Sequence, residues 1–175
     1  MYELLYSFRS PKLGPGDGAY PDSGLTNVNG TLYGTTNVGG ATGIATVFSI
    51  TTSGAETLLY SFKGGYKGDG YWPEGNLINV DGTLYGTTVQ GGANVSGTVF
   101  SISTSGNETL PYSFKGGSLD GEYPQSALIN VKGTLYGTTE KGGGSGCVDG
   151  EGCGTVFSIA LSGTETVLHS FAGGS

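Results

Sequence analysis

The chain has 175 residues and a net charge of −7, and its few basic residues form no cluster. Phosphate binding needs a cationic face, so we expect no nucleic acid partner. Apolar runs are too short to cross a bilayer, and Met1 precedes no basic and then apolar leader, so we expect a soluble chain without membrane insertion. The 36 glycines recur at fixed places between apolar runs, which is typical of turns in a many-stranded β protein.

The first predicted element is a strand at residues 2–8, Tyr-Glu-Leu-Leu-Tyr-Ser-Phe. Close copies stand at residues 56–62, 108–114 and 165–171, so this segment occurs four times. Its residues divide between two faces with a period of two, as in a β-strand. Pro111 in the third copy predicts an edge strand or a ladder position whose amide hydrogen is not needed, because proline cannot donate a ladder hydrogen bond.

A glycine-rich connection follows, and it ends each time in Asp-Gly-x-aromatic-Pro. The acid and the aromatic residue are Asp17 and Tyr20, Asp69 and Trp72, and Asp120 and Tyr123. A short apolar strand then leads into the decapeptide Asn-Val-x-Gly-Thr-Leu-Tyr-Gly-Thr-Thr, which occurs three times, roughly 50 residues apart. Within it, Asn29-Gly30 and Asp81-Gly82 predict two-residue hairpin turns, and Lys132-Gly133 fills the same place with a poorer first residue.

The last element of each repeat is Thr-Val-Phe-Ser-Ile, at residues 46–50, 98–102 and 155–159, followed by a Ser-Gly turn or a close variant of it. Each repeat thus holds about four short strands and no helical periodicity. This pattern predicts an all-β protein, a β-propeller of three blades that are each a four-stranded antiparallel sheet. A sandwich or a β-solenoid has a similar composition, but apolar residues on both strand faces favour the propeller.

The whole chain, residues 1–175, is predicted to be one repeat domain. Its repeats span about 2–55, 56–107 and 108–164, with an additional terminal strand at 165–171. A closed propeller usually has four to eight blades, so three blades must close tightly, pair with another copy or belong to a larger body. Because the first and last strands are equivalent, we expect a homodimer that forms a six-bladed ring with strand sharing. Head-to-tail filaments are the alternative.

The two cysteines, Cys147 and Cys153, stand in an insertion within the third repeat. A pair in one short loop predicts a local disulfide, with free thiols as the alternative. Two thiolates without a nearby histidine do not supply the four ligands of a structural zinc site. A disulfide indicates an oxidising, extracellular or cell-surface location.

The order of these motifs resembles the GloVer-type repeat of bacterial choice-of-anchor tandem-repeat proteins. The resemblance rests on Leu-Leu-Tyr-Ser-Phe, Gly-Gly, Asp-Gly and Pro, then Gly-Thr-Leu-Tyr-Gly-Thr-Thr and Gly-Thr-Val-Phe, and it covers essentially the whole chain. It implies an exported or surface protein of propeller-like repeat architecture, and it supplies no catalytic residues. The first repeat departs from the pattern at residues 9–13 and at Ile44-Ala45.

The candidate binding residues are the acids and aromatic rings of the three Asp-Gly-x-aromatic-Pro loops. A ring offers a stacking surface for a sugar, a carboxylate accepts hydrogen bonds from hydroxyl groups, and repetition adds avidity. The same residues are also turn formers, and the ring can simply fill the space between blades. Ligand binding and a purely structural role therefore both stay open.

Metal binding and catalysis have less support. Calcium could use the three loop aspartates, or Asp149 with Glu151, but no known calcium-loop spacing is present, and we expect neither metal nor cofactor. His169 replaces a repeated tyrosine, which favours a packing role over that of a general base. We therefore expect a non-enzymatic extracytoplasmic module for protein interaction or self-assembly. A carbohydrate-binding module is the alternative, and a glycosidase is a more distant one.

Overall fold

The computed structural model describes residues 4–8, 16–64, 68–147 and 150–173. Every regular element in these residues is a β-strand, which confirms the all-β class. Within the same residues there is no helix that could cross a membrane.

The sixteen strands of this part are numbered in chain order. Residues 16–64 contain β1 (Gly18–Ala19), β2 (Thr26–Val28), β3 (Thr31–Thr36), β4 (Val38–Gly39), β5 (Thr46–Thr51) and β6 (Glu56–Ser61). Residues 68–113 contain β7 (Ile78–Val80), β8 (Thr83–Thr88), β9 (Thr98–Ser103) and β10 (Glu108–Ser113). The described residues that follow contain β11 (Gly121–Glu122), β12 (Ile129–Val131), β13 (Thr134–Thr139), β14 (Lys141–Gly142), β15 (Thr155–Ala160) and β16 (Glu165–Ser170).

Twelve of these strands form three four-stranded antiparallel sheets. Sheet 1 has the order β2-β3-β5-β6, sheet 2 the order β7-β8-β9-β10, and sheet 3 the order β12-β13-β15-β16. The segment that starts with Glu-Thr is therefore the last strand of each sheet. Two short antiparallel pairs, β1 with β4 and β11 with β14, join the loop before β2 or β12 to the chain that follows β3 or β13. In the second repeat an isolated bridge between Tyr71 and Gln90 makes the equivalent connection.

The hairpin turns of the decapeptide form as predicted. Both central residues have positive φ in all three copies, for example 51° at Asn29 and 87° at Gly30. The turn also forms at Lys132, where φ is 51°. The first asparagine of the decapeptide explains this tolerance, because the Asn130 side-chain oxygen accepts a hydrogen bond from the Gly133 amide at 2.9 Å.

The predicted edge strand at Pro111 is also confirmed. Its strand, β10, pairs only with β9, and the ladder register shifts between Thr109 and Tyr112. Proline is tolerated at such an irregular edge position because no neighbouring strand needs its missing amide hydrogen.

The core lies between consecutive sheets, which pack with a fixed polarity. We call the face of a sheet that meets the following sheet its back face and the opposite one its front face. The first junction joins the back-face residues Val28, Tyr33, Val47 and Phe62 to the front-face residues Leu77, Leu84, Phe100 and Ile102. The second joins Val80, Tyr85, Val99 and Phe114 to Leu128, Leu135, Phe157 and Ile159. Both junctions thus use the same repeat positions.

An edge-to-face aromatic pair lies at the centre of each junction. The ring centroids of Phe62 and Phe100 are 5.1 Å apart, and those of Phe114 and Phe157 are 5.0 Å apart. The glycine of Leu-Tyr-Gly-Thr-Thr makes room for the second ring of each pair. A Cβ atom at Gly86 would lie only 2.6 Å from the Phe100 ring.

The two threonines that end the decapeptide are buried and hydrogen-bonded in the first two repeats, whereas in the third Thr139 is buried and Thr138 is exposed. The second one pairs with the first threonine of Thr-Val-Phe-Ser-Ile, as in Thr88 and Thr98, whose hydroxyl oxygens are 2.7 Å apart. The first one reaches the loop of the next repeat, as where the Thr35 hydroxyl donates to the Pro73 carbonyl at 2.9 Å. The decapeptide therefore builds the hairpin and also joins one sheet to the next.

Candidate functional site

The aromatic residues of the three Asp-Gly-x-aromatic-Pro loops share an unusual backbone conformation. Tyr20, Trp72 and Tyr123 have φ of 57°, 53° and 57°. Large side chains rarely adopt positive φ, and such a conformation costs on the order of 1–3 kcal/mol. A hydrogen bond stabilises this conformation. The backbone carbonyl of the aromatic residue accepts it from an amide just after the decapeptide, as where the Val89 amide donates to the Trp72 carbonyl at 3.0 Å.

Two of the three rings are exposed to solvent. Tyr20 is 65% exposed and Trp72 46% exposed, which is unusual for large aromatic side chains. Tyr123 is half-buried, and the Lys141 ammonium lies 5.8 Å from its ring centroid. The aromatic surface that sequence analysis proposed for ligand stacking is therefore accessible in the first two repeats.

The aspartates of the same loops turn the other way, into the fold. In the third repeat the Asp120 carboxylate is buried and accepts hydrogen bonds from the Tyr112 hydroxyl at 2.8 Å and from the Lys115 and Gly121 amides at 2.7 Å. Asp69 accepts from the Tyr60 hydroxyl in the same way, and Asp17 from the Tyr6 hydroxyl. Each aspartate thus ties its loop to the last strand of the preceding sheet, or to residues 4–8 in the first repeat. The aspartate and the aromatic ring of one loop do not act on a common surface.

A glutamate that the sequence pattern did not single out lies near each aspartate and its tyrosine. It is the first residue of the last strand in every sheet, Glu56, Glu108 and Glu165. The Tyr112 hydroxyl lies 3.4 Å from Oε2 of Glu165, while Oε1 of each of the three glutamates is buried without a hydrogen-bond partner among the described residues. The resulting group, one tyrosine between two carboxylates from successive repeats, is called the junction triad below.

Burial and the neighbouring charge change the acidity of the triad. Burial, together with the negative charge of Asp120, raises the pKa of Glu165 to about 7. The pKa of Glu56 and that of Glu108 are raised by the same two causes, with Asp17 and Asp69 as the respective charges. Burial and a hydrogen bond to Asp120 raise the pKa of Tyr112 as well. Glu165 therefore keeps its proton to a higher pH than an ordinary glutamate does, and the shifts of Glu56 and Glu108 have the same direction.

The third junction triad lines a cleft of about 360 Å³ together with Lys115, Ser118 and Leu119. Three or more His, Cys, Asp or Glu side chains placed to hold a metal ion are not found in the described part of the chain. Asp149, one of the residues considered for calcium, lies outside that part. The arrangement of the triad fits a hydrogen-bonded link between repeats.

The predicted disulfide between Cys147 and Cys153 is present, with the two Cα atoms 5.3 Å apart. It lies against the chain just after β16, because a Cβ atom at Gly173 would be 2.8 Å from Sγ of Cys153. An ion pair between Lys141 and Glu151 also holds this loop to β14. The insertion therefore braces the end of the last strand.

The back face of sheet 3 has the residues of a junction but no described sheet packed on it. Phe62 and Phe114 are 0% exposed in their junctions, whereas Phe171 at the same repeat position is 45% exposed. Ile129 and Val131 on this face are exposed too. Sheet 3 thus presents an apolar, junction-like surface.

The front face of sheet 1 is the complementary half, and it is partly covered. Leu77 and Leu128 are 2% and 1% exposed, whereas Leu25 at the same position is 51% exposed. Residues 4–8 cover the remainder, and the ring centroids of Phe8 and Phe48 are 5.0 Å apart. A cleft of about 350 Å³ remains between residues 4–8 and the sheet.

A protein-family model described as the Gloeobacter/Verrucomicrobia repeat matches residues 1–175. No curated protein matches the chain. The match covers all three decapeptides and all four copies of the segment that ends in Tyr-Ser-Phe or His-Ser-Phe.

Proposed function

Because the chain belongs to the Gloeobacter/Verrucomicrobia repeat family over its whole length, we propose that it is a non-enzymatic, extracytoplasmic repeat module whose function is self-assembly or protein interaction. The observation that supports this function most is the exposure of Phe171, whose counterparts in both internal junctions are fully buried. A surface built like a buried junction is suited to pack against a similar surface.

The three sheets are then the blades of a propeller-like body, and the ends of the chain are its incomplete junctions. The back face of sheet 3 in one copy fits the front face of sheet 1 in another. This contact is heterologous, so two copies can close a six-bladed ring, or further copies can extend a filament. The negative charge of each chain opposes association, so association should strengthen with added salt.

Light scattering coupled to size exclusion tests this function directly. The mass of one chain is 17.7 kDa. At physiological ionic strength and raised protein concentration we expect a mass of two or more chains, with two copies for a closed ring. A strict monomer at every concentration and salt level would remove the support for self-assembly.

The other parts of the proposal rest on separate observations. The disulfide of the third repeat favours an oxidising, extracellular or surface location. The acids that could serve catalysis take part in hydrogen bonds within the junctions, which favours a structural role for them. Neither a cofactor nor nucleic acid is part of the proposed function.

Carbohydrate binding is the second candidate, and the exposed rings of Tyr20 and Trp72 favour it. A strained backbone that directs an aromatic ring into solvent is more common where the ring has a binding role. The rings alone would then form the stacking surface, since the loop aspartates serve the fold.

Replacement of Trp72 by alanine tests the second candidate. If the module binds glycans through this ring, the signal on a glycan array should fall about tenfold or more, as expected for loss of an aromatic anchor. The exposed Leu119, changed to alanine, is the matched control and should leave the signal unchanged. Absence of signal on every glycan with the unmodified chain would contradict carbohydrate binding.

A further inference from the structure

Residues 4–8 and strand β16 are two copies of the same sequence element in different structural states. β16 pairs with β15 along its length, as β6 pairs with β5 in sheet 1. Residues 4–8 belong to no strand of the described part of the chain. They therefore lie on sheet 1 without belonging to a sheet of their own.

Three contacts show which position residues 4–8 occupy. Phe8 packs on Phe48 as Phe62 packs on Phe100. The Tyr6 hydroxyl donates to Asp17, as the equivalent tyrosines of β6 and β10 donate to their aspartates.

The third contact is a close approach of two backbones. The Leu5 carbonyl oxygen lies 2.4 Å from the place of a Cβ atom at Gly54, and the Leu59 carbonyl stands in the same relation to Gly106. Residues 4–8 therefore take the place that the last strand of a preceding sheet would take.

Strand β16 is in the reverse situation. It belongs to a complete sheet, but no described sheet packs on that sheet's back face. Leu168 and Phe171 are exposed, and the His169 and Phe171 rings meet edge to face with centroids 4.8 Å apart, as do Tyr60 and Phe62. The disulfide loop braces the chain just beyond Phe171. The strand is thus held in the conformation that its counterparts have inside a junction.

We propose that the end of β16 in one copy replaces residues 4–8 on sheet 1 of a second copy, and that residues 4–8 are a removable cover of this docking surface. The inference rests on the proposed self-assembly and names its contact. In the assembled junction the Phe171 ring packs against the partner's Phe48 ring. His169 contacts the carboxylate of the partner's Asp17. Leu168 then lies beside the partner's Gly54.

The direction of exchange follows from the backbone pairing. Release of residues 4–8 breaks side-chain contacts and the backbone contact of Leu5 with Gly54, but it breaks no strand ladder in the described structure. Release of β16 would break its ladder with β15. Unpaired backbone groups of a buried strand are costly. Sheet 3 therefore docks with β16 still paired to β15, and residues 4–8 of the second copy are displaced.

Self-association of full-length variants tests the exchange by sedimentation velocity. Phe8→Ala loosens the cover, so more molecules are competent to dock, and the apparent dissociation constant should fall about tenfold. Phe171→Ala removes the docking ring, and the constant should rise about tenfold or more. The exposed Leu119→Ala variant should associate like the unmodified chain.

The outcomes separate the exchange from self-assembly in general. If Phe8→Ala weakens association, residues 4–8 belong to the interface and the proposed exchange is wrong. If the chain associates but neither phenylalanine matters, self-assembly stands and this contact does not. If neither the unmodified chain nor Phe8→Ala associates, both proposals fail.

Photo-crosslinking locates the contact in the folded full-length chain. A benzoyl-phenylalanine at position 171, in a mixture of ¹⁴N- and ¹⁵N-labelled chains, should give mixed-isotope crosslinks to the front face of sheet 1, near Leu25 and Phe48. Intermolecular crosslinks that map only to other surfaces would overturn the proposal.

Discussion

Replacement of Phe114 by alanine should lower the free energy of unfolding by about 3–5 kcal/mol, the usual cost of removing a fully buried phenylalanine side chain. Phe114 is 0% exposed and packs edge to face on Phe157 across the second junction. Urea unfolding followed by circular dichroism measures the change.

Phe171→Ala is the matched control for this prediction, because it changes the same repeat position at the open face. In dilute protein, where copies are separate, it should cost no more than about 1 kcal/mol, since the side chain is already half exposed. Equal losses for the two variants would contradict the assignment of Phe171 to an open face.

Replacement of Asp120 by alanine should cost about 3 kcal/mol or more. The buried carboxylate accepts hydrogen bonds from the Tyr112 hydroxyl and from two backbone amides, and its removal takes this acceptor from both amides and leaves the hydroxyl only its longer contact with Glu165. Each unsatisfied buried donor costs about 1–3 kcal/mol. The exposed Asp22, whose carboxylate accepts a hydrogen bond from the Asn37 side chain, is the control, and Asp22→Ala should change stability by less than about 1 kcal/mol.

The same variant has a second readout in the acidity of Glu165. Because the charge of Asp120 helps to raise the pKa of Glu165 to about 7, Asp120→Ala should lower that pKa, as followed by NMR titration of the side-chain carboxyl carbon. An unchanged or higher Glu165 pKa would contradict the junction triad.

The raised pKa of Glu165 also makes the folding stability depend on pH. The folded chain keeps the Glu165 proton between its ordinary pKa of 4.5 and about 7, while the unfolded chain releases it. Stability from this group is therefore complete below pH 4.5 and is lost as the pH rises to about 7. Glu165→Gln should reduce this loss.

Local features of the fold could be predicted from the sequence because they depend on neighbouring residues. The hairpin turn at Asn29-Gly30 follows from the ease with which these residues take positive φ. The edge strand at Pro111 follows from the missing amide hydrogen, and the disulfide from two cysteines in one short loop.

Features that depend on packing between repeats could not be predicted in this way. Glu165 recurs at a fixed repeat position, but only the fold places its carboxylate beside Tyr112 and Asp120. The sequence predicts that the aspartate and the aromatic ring of one loop act together, but Asp69 bonds to Tyr60 while the Trp72 ring is 46% exposed. Residues 4–8 match a strand in sequence but have no strand ladder in the described chain, because a ladder requires a neighbouring strand.

The central claim is that the back face of sheet 3 is a junction surface that a second copy covers. Fluorine NMR of chains labelled with 4-fluorophenylalanine tests it, with resonances assigned by single Phe→Leu variants. As protein concentration rises, the Phe171 resonance should lose its contact with a soluble paramagnetic agent and become as protected as those of Phe62 and Phe114. A Phe171 resonance that stays accessible at all concentrations would contradict the claim.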